Sequence, residues 1–133
     1  MPFSNYARNK FLEHVHGKTA FAMPATVYLG MLNTMPNATD GGYVEPSGNG
    51  YNRVAVPAAS WGTAANGAIT NTAEIKFPAS TGAGWGTVVG VGLFDSATVG
   101  AGNLLHSATI TSQAVPAGIT PTIPVGDADS AFS

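Results

Sequence analysis

The sequence predicts an all-β fold, a single-domain β-sandwich of jelly-roll type with one short N-terminal α-helix, on three observations. After residue 23, β-branched and aromatic residues alternate with polar ones in short runs, the period-two pattern of strands with one wet face. Those runs are punctuated by Gly, Pro and Asn, including Asn49-Gly50 and Asn66-Gly67, dipeptides suited to tight hairpin turns. Nothing alternates strand with helix in the manner of a parallel sheet. A chain of 133 residues has room for one core, and folding at this size buries roughly two thirds of the unfolded surface.

Residues 1–22 are read as a helical segment and residues 23–133 as the sandwich. Ser4 is placed to cap a helix and Phe3 to staple it. Ala7, Phe11, Leu12 and Val15 then fall at helical spacing before Gly17, a natural terminator. Arg8, Lys10, Glu13 and His14 make the polar face. So short a helix is marginal alone and is expected to lie on the rest of the fold.

Seven strands are expected, over residues 26–33, 52–56, 68–70, 72–77, 87–94, 104–110 and 119–125. In 72–77, Ala73, Ile75 and Phe77 face one way and Thr72, Glu74 and Lys76 the other. Residues 33–50 are polar and broken by Pro36 and Pro46, which predicts an exposed excursion. In the tail, an eighth strand would put Asp127 and Asp129 on one face and Ala128 and Ser130 on the other.

The glycine-rich run GWGTVVGVGLFD, residues 84–95, raises the question of a phosphate loop. A dinucleotide loop needs a third glycine where Asp95 stands and a helix after it, and a P-loop needs a lysine, of which none follows Lys76. The run is therefore a buried strand. Val89, Val91 and Leu93 would take one face and Val88, Gly90, Gly92 and Phe94 the other, leaving a trough for a ring such as Trp61, Trp85 or Tyr28.

Composition excludes several function classes. The chain has no cysteine, hence neither disulfide nor thiolate metal site. Five basic against seven acidic residues, with no basic cluster, argue against a nucleic-acid partner. No run reaches the about 18 apolar residues of a membrane helix, and the start carries no apolar signal region. Charged residues make up 9% of the chain, against about 25% in an ordinary domain. Such an exterior loses little on desolvation and suits burial by other subunits.

No arrangement of reactive side chains points to catalysis, a metal or a cofactor, and the chain is read as a non-enzyme without any of them. His14 and His16, two apart on a helix, diverge and are expected in solvent. His106 alternates with Leu104, Ala108 and Ile110 and is expected as a core or interface histidine. Asp127 and Asp129 with Asp40 or Glu45 would bind calcium only if their loops converged. No nucleophile elbow accompanies the serines. Asn37-Ala38-Thr39 matches a glycosylation triplet, a frequent pattern.

Three runs carry a family resemblance: PATVYLGML (24–32, P-A-T-x-Y-x-x-x-L), NTAEIKFP (71–78, N-x-x-x-x-x-F-P) and WGTVVGVGLFD (85–95, W-G-x-x-x-x-x-G-x-F-D), in that order after the helix. Across almost its whole length the chain resembles small virion proteins of tailed bacteriophages and prophages known as tail-fibre proteins, some of which resemble capsid decoration or cement proteins. It departs from their pattern at Pro121 and at Asp127 and Asp129. The resemblance implies a virion structural protein made in the bacterial cytoplasm. The leading expectation is a capsid decoration protein on the outer head surface, bound to the major capsid protein as dimers or trimers. The alternative is a tail or tail-fibre component bound to tail proteins, recognising a host glycan through Trp61, Trp85 and the tyrosines. A free hydrolase or lectin is a third reading. The contact surface is expected at Phe3, Tyr6 and Phe11 in the N-terminal segment and at Met35, Tyr43 and Tyr51 in the loop region.

Overall fold

The computed structural model describes residues 3–22 and 24–131. The expected boundary between helical segment and sandwich falls at residue 23, outside the described residues. Among the described residues, helix α1 spans Asn5–Val15 and eight strands follow: β1 Val27–Leu32, β2 Val54–Val56, β3 Ala68–Thr70, β4 Ile75–Lys76, β5 Gly86–Phe94, β6 Leu104–Val115, β7 Thr122–Ile123 and β8 Asp129–Ala131. The fold is all-β with a single helix, as expected. The strands pair as one four-stranded antiparallel sheet, β2-β1-β5-β6, and two ribbons, β3-β8 and β4-β7. Eight strands thus divide as four, two and two, whereas a jelly roll divides them into two four-stranded sheets.

The ribbons and their flanks cover one face of the large sheet. Leu29, Met31, Val88, Val91, Leu93 and Val115 of that sheet meet Ile75, Phe77, Ala128 and Trp85 in a single apolar cluster. Ala73, Ile75 and Phe77 point inward and Thr72, Glu74 and Lys76 outward, as the alternation predicts. Asp127 and Asp129 are exposed while Ala128 and Ser130 are buried, again as predicted. Both Asn-Gly dipeptides carry two successive positive φ values, 51° and 78° at Asn49-Gly50 and 52° and 76° at Asn66-Gly67, which is what a type I′ turn requires.

Strand β5 corrects the sequence reading. Its register with β6 shifts between Val88 and Gly90, a bulge that leaves Val89 out of the ladder. Val88 therefore joins Val91 and Leu93 in the core, and Val89 does not.

Helix α1 starts and stops where the sequence places it. Ser4 Oγ accepts a hydrogen bond from Ala7 N at 3.0 Å, and Gly17 follows the helix at φ 71°. Its buried side is narrower than expected: Ala7 is buried and Phe11 half-buried, while Leu12 and Val15 are 59% and 78% exposed. Phe3 stacks edge-on against Phe11, with ring centroids 5.2 Å apart. The helix rests on β6, an edge strand, through Ser4 N donating to Leu105 O at 2.8 Å and a bridge between Phe3 and His106.

Candidate interaction surface

The second face of the large sheet is shaped by glycine. Gly30 of β1 pairs with Gly92 of β5, and the missing side chains leave the predicted trough. A Cβ on Gly30 would sit 2.8 Å from both Glu45 Oε1 and Tyr51 Oη, and one on Gly92 would sit 2.9 Å from the Phe94 ring. The occupants differ from those expected. Trp85 is buried in the other cluster and Trp61 packs against that cluster, Tyr28 is half-buried, and the trough is filled by Phe94, Leu104 and Met35 together with an ion pair.

That ion pair, Arg53–Glu45, was not singled out by sequence reasoning. Its side chains are 0% and 3% exposed, with Arg53 Nη2 donating to Glu45 Oε2 at 2.7 Å and Nε to Oε1 at 2.9 Å. Nη1 donates to Ser96 O at 2.8 Å and Ala101 O at 2.9 Å. The guanidinium lies 3.6 Å from the centre of the Phe94 ring. Tyr51 Oη donates to Glu45 Oε1 at 2.9 Å and accepts from Met31 N at 2.9 Å, and Gly100 N donates to Glu45 Oε2 at 3.1 Å. Burial alone would raise the Glu45 pKa, but the hydrogen bonds from Arg53, Gly100 and Tyr51 and the Arg53 charge outweigh it and hold the carboxyl below its usual range. Burial, then the neighbouring Glu45 charge, push the Tyr51 hydroxyl upward.

No buried side-chain nitrogen or oxygen of this cluster lacks a partner, so burial of the pair is tolerated. Its effect is geometric. Glu45 belongs to the 33–50 excursion, Arg53 precedes β2, and Ser96 to Ala101 connect β5 to β6. Because Glu45 and Arg53 both lie between β1 and β2, one guanidinium ties two connections, β1–β2 and β5–β6, to the end of the sheet.

The expected contact residues divide into three groups. Phe3, Tyr6 and Phe11 form an aromatic patch with Phe21, Tyr6–Phe21 at 6.5 Å and Phe11–Phe21 at 5.5 Å. Met35 and Tyr43 are half-buried against Leu32, Phe94 and Leu104. Tyr51 is 6% exposed, and its ring lies inside this chain's own fold against Trp85 at 5.2 Å; no ring face is left for a neighbour.

The excursion and the N-terminal segment, expected as separate surfaces, are joined. Asp40, at φ 67°, accepts from Asn5 N and Tyr6 N at 3.0 Å each, and Asn5 Nδ2 donates to Ala38 O at 2.6 Å. A carboxylate on the first N–H groups of α1 also meets the positive end of the helix dipole. Asp40 and Glu45 are thus engaged by the start of α1 and by Arg53, and among the described residues no three of the His, Asp and Glu side chains converge. Asn37 Oδ1 accepts from Thr39 N, Thr39 Oγ1 and Gly41 N, which makes the glycosylation triplet an Asx turn.

His106 is 4% exposed, with Ser130 Oγ 3.4 Å from its Nδ1 and the Phe3 ring 4.2 Å away. Desolvation lowers its pKa to about 4, so the imidazole is neutral in the folded chain near neutral pH. His14 and His16 are exposed, as expected. Among the described residues no helix is long and apolar enough to cross a membrane.

An all-β scaffold with locked loops and a clamped N-terminal arm is a form suited to building particles. The chain belongs to the family described as podophage GP4 fiber I protein gp80, whose model matches residues 2–130. It is accordingly a member of a family of small phage fibre-like structural proteins, as its motifs implied. A search of curated proteins found no match.

Proposed function

We propose that this chain is a tail-fibre component of a phage particle and that its role is mechanical rather than catalytic. The observation that carries this reading is the family match over residues 2–130, whose description names a fibre protein. The structure supports it through rigidity: a buried ion pair ties the β1–β2 and β5–β6 connections together, so the surface offered to neighbours is ordered before contact and loses less entropy on assembly. Its partners on this reading are other tail proteins and further copies of itself.

Capsid decoration, with the chain bridging neighbouring copies of the major capsid protein on the outer head surface, is the second reading. What favours it is the resemblance of some of the tail-fibre-labelled virion proteins to decoration proteins. Glycan recognition is narrowed, because Trp85 and Tyr51 are core residues and only Trp61, Tyr6, Tyr28 and Tyr43 keep exposed area. Immunogold labelling of particles with an antibody to this chain tests the placement. Gold on the tail supports the fibre reading; gold over the head supports decoration and overturns it.

A further inference from the structure

The N-terminal arm and the C-terminal third of this chain differ in the sign of their net charge, with Glu74 and Lys76 exposed together between them. Residues 3–22 carry Arg8, Lys10 and Lys18 against Glu13, formally +2, whereas after Lys76 there is no Lys or Arg and Asp95, Asp127 and Asp129 sum to −3. Asp95 is bonded to Asn103 N and Nδ2. Asp127 and Asp129 are exposed and meet no cation among the described residues.

Each charged region borders unpartnered apolar surface. On α1, Arg8, Leu12 and Val15 lie at i, i+4 and i+7, one stripe of the helix, and all three are exposed. Asp127 and Asp129 stand on the rim of a cleft of about 860 Å³ between the large sheet and residues 119–129. Leu29, Met31, Val88 and Val91 at its base are core residues, and the apolar surface it offers is Ile110 and Ile119 at its mouth, 36% and 40% exposed. Close-packed interiors hold few voids larger than a water molecule, so this hollow over the core has the dimensions of a binding site, about 300–1,000 Å³.

We propose that the cleft receives helix α1 of a second copy of this chain. Leu12 and Val15 meet Ile110 and Ile119 at the mouth, and Arg8 and Lys18 face Asp127 and Asp129. The two surfaces are different patches of one molecule, so the contact is head-to-tail. It closes into a ring where the rotation per step allows and extends into a filament where it does not. A fibre subunit would use it along its length, but the contact rests on charge and exposure alone and does not depend on the place of the protein in the particle.

The test uses the isolated full chain and two variants with exposed substitutions, Leu12→Asp/Val15→Asp in the helix and Asp127→Lys/Asp129→Lys at the cleft. Sedimentation velocity across a dilution series should find the unaltered chain self-associating, more weakly in high salt. Each variant alone should associate at least about tenfold more weakly. Mixed together, the helix variant supplies an intact cleft and the cleft variant an intact helix, so a one-to-one pair should form and nothing larger. A monomeric unaltered chain, association undiminished in either variant, or a mixture that fails to pair would each overturn the proposal; a monomer would leave the immunogold result on the particle untouched. Circular dichroism of each variant separates lost contact from lost fold, and an unfolded variant is replaced by Val15→Ser or Asp129→Asn with the same expected direction.

Discussion

Replacing Arg53 by methionine removes the guanidinium while keeping most of its volume, and leaves Glu45, its side chain 3% exposed, without its cation. Breaking a buried pair by removing one partner destabilises by about 3–5 kcal/mol, because the remaining charge is uncompensated. Against a total stability of about 5–15 kcal/mol this is a large fraction. For a chain of this size it lowers Tm by roughly 10–20 °C. Urea unfolding followed by tryptophan fluorescence reads the loss, since Trp85 is 4% exposed in the core and donates from Nε1 to Asn49 O at 2.9 Å. The pH dependence gives a second reading. In the unaltered chain the Glu45 pKa is held low, so its contribution is present above the unfolded value and lost as pH falls through the folded one. Without Arg53, desolvation dominates and the pKa rises, so the variant's deficit relative to the unaltered chain should shrink as pH is lowered from neutral toward 5. A loss under about 1 kcal/mol, as for an exposed pair, with an unchanged slope against pH would refute the reasoning.

The neutral His106 makes acid a second stress. Its folded pKa lies below the unfolded value, at about 4 against 6.5, so stability is full above pH 6.5 and falls as pH drops toward 4. The integrated loss is about 3 kcal/mol; His106→Gln should flatten that part of the profile, with NMR titration of the imidazole as the check. Gly92→Ala, with its Cβ 2.9 Å from the Phe94 ring, should destabilise by about 1–3 kcal/mol. Gly41→Ala, whose nearest neighbour would be 3.7 Å away, should stay within about 0.5 kcal/mol. Asp40→Ala removes both bonds to the start of α1 and should lower stability by about 1–2 kcal/mol. Amide exchange at residues 5–8 should accelerate.

Local signals in the sequence carried far. Ser4 and Gly17 mark the ends of α1 because caps are chosen by hydrogen bonding and φ within a few residues. The alternation in 72–77 fixes which side chains enter the core, although only Ile75–Lys76 pairs as a strand. What depends on distant partners was less legible. Helical spacing marks Leu12 and Val15 as well as Ala7 and Phe11, and only the docking on β6 decides which stripe is covered. The bulge after Val88 arises from pairing with β6, which strict alternation within β5 cannot reveal. Arg53 and Glu45 are eight residues apart across a loop, a spacing with no periodic meaning. The available signal was a lone arginine opening an apolar strand in a chain with 9% charged residues. Tyr51 lies in the loop region expected to make contacts, but the Gly30 opening admits its hydroxyl and its ring packs on Trp85.

The central claim is that this chain folds into a rigid β-framework that takes its place among copies and neighbours in a phage appendage. A subunit-resolution reconstruction of the particle that carries it tests this most directly. The account predicts density for the four-stranded sheet and its N-terminal arm within the tail assembly. Particles complete in every appendage yet devoid of this chain would contradict it.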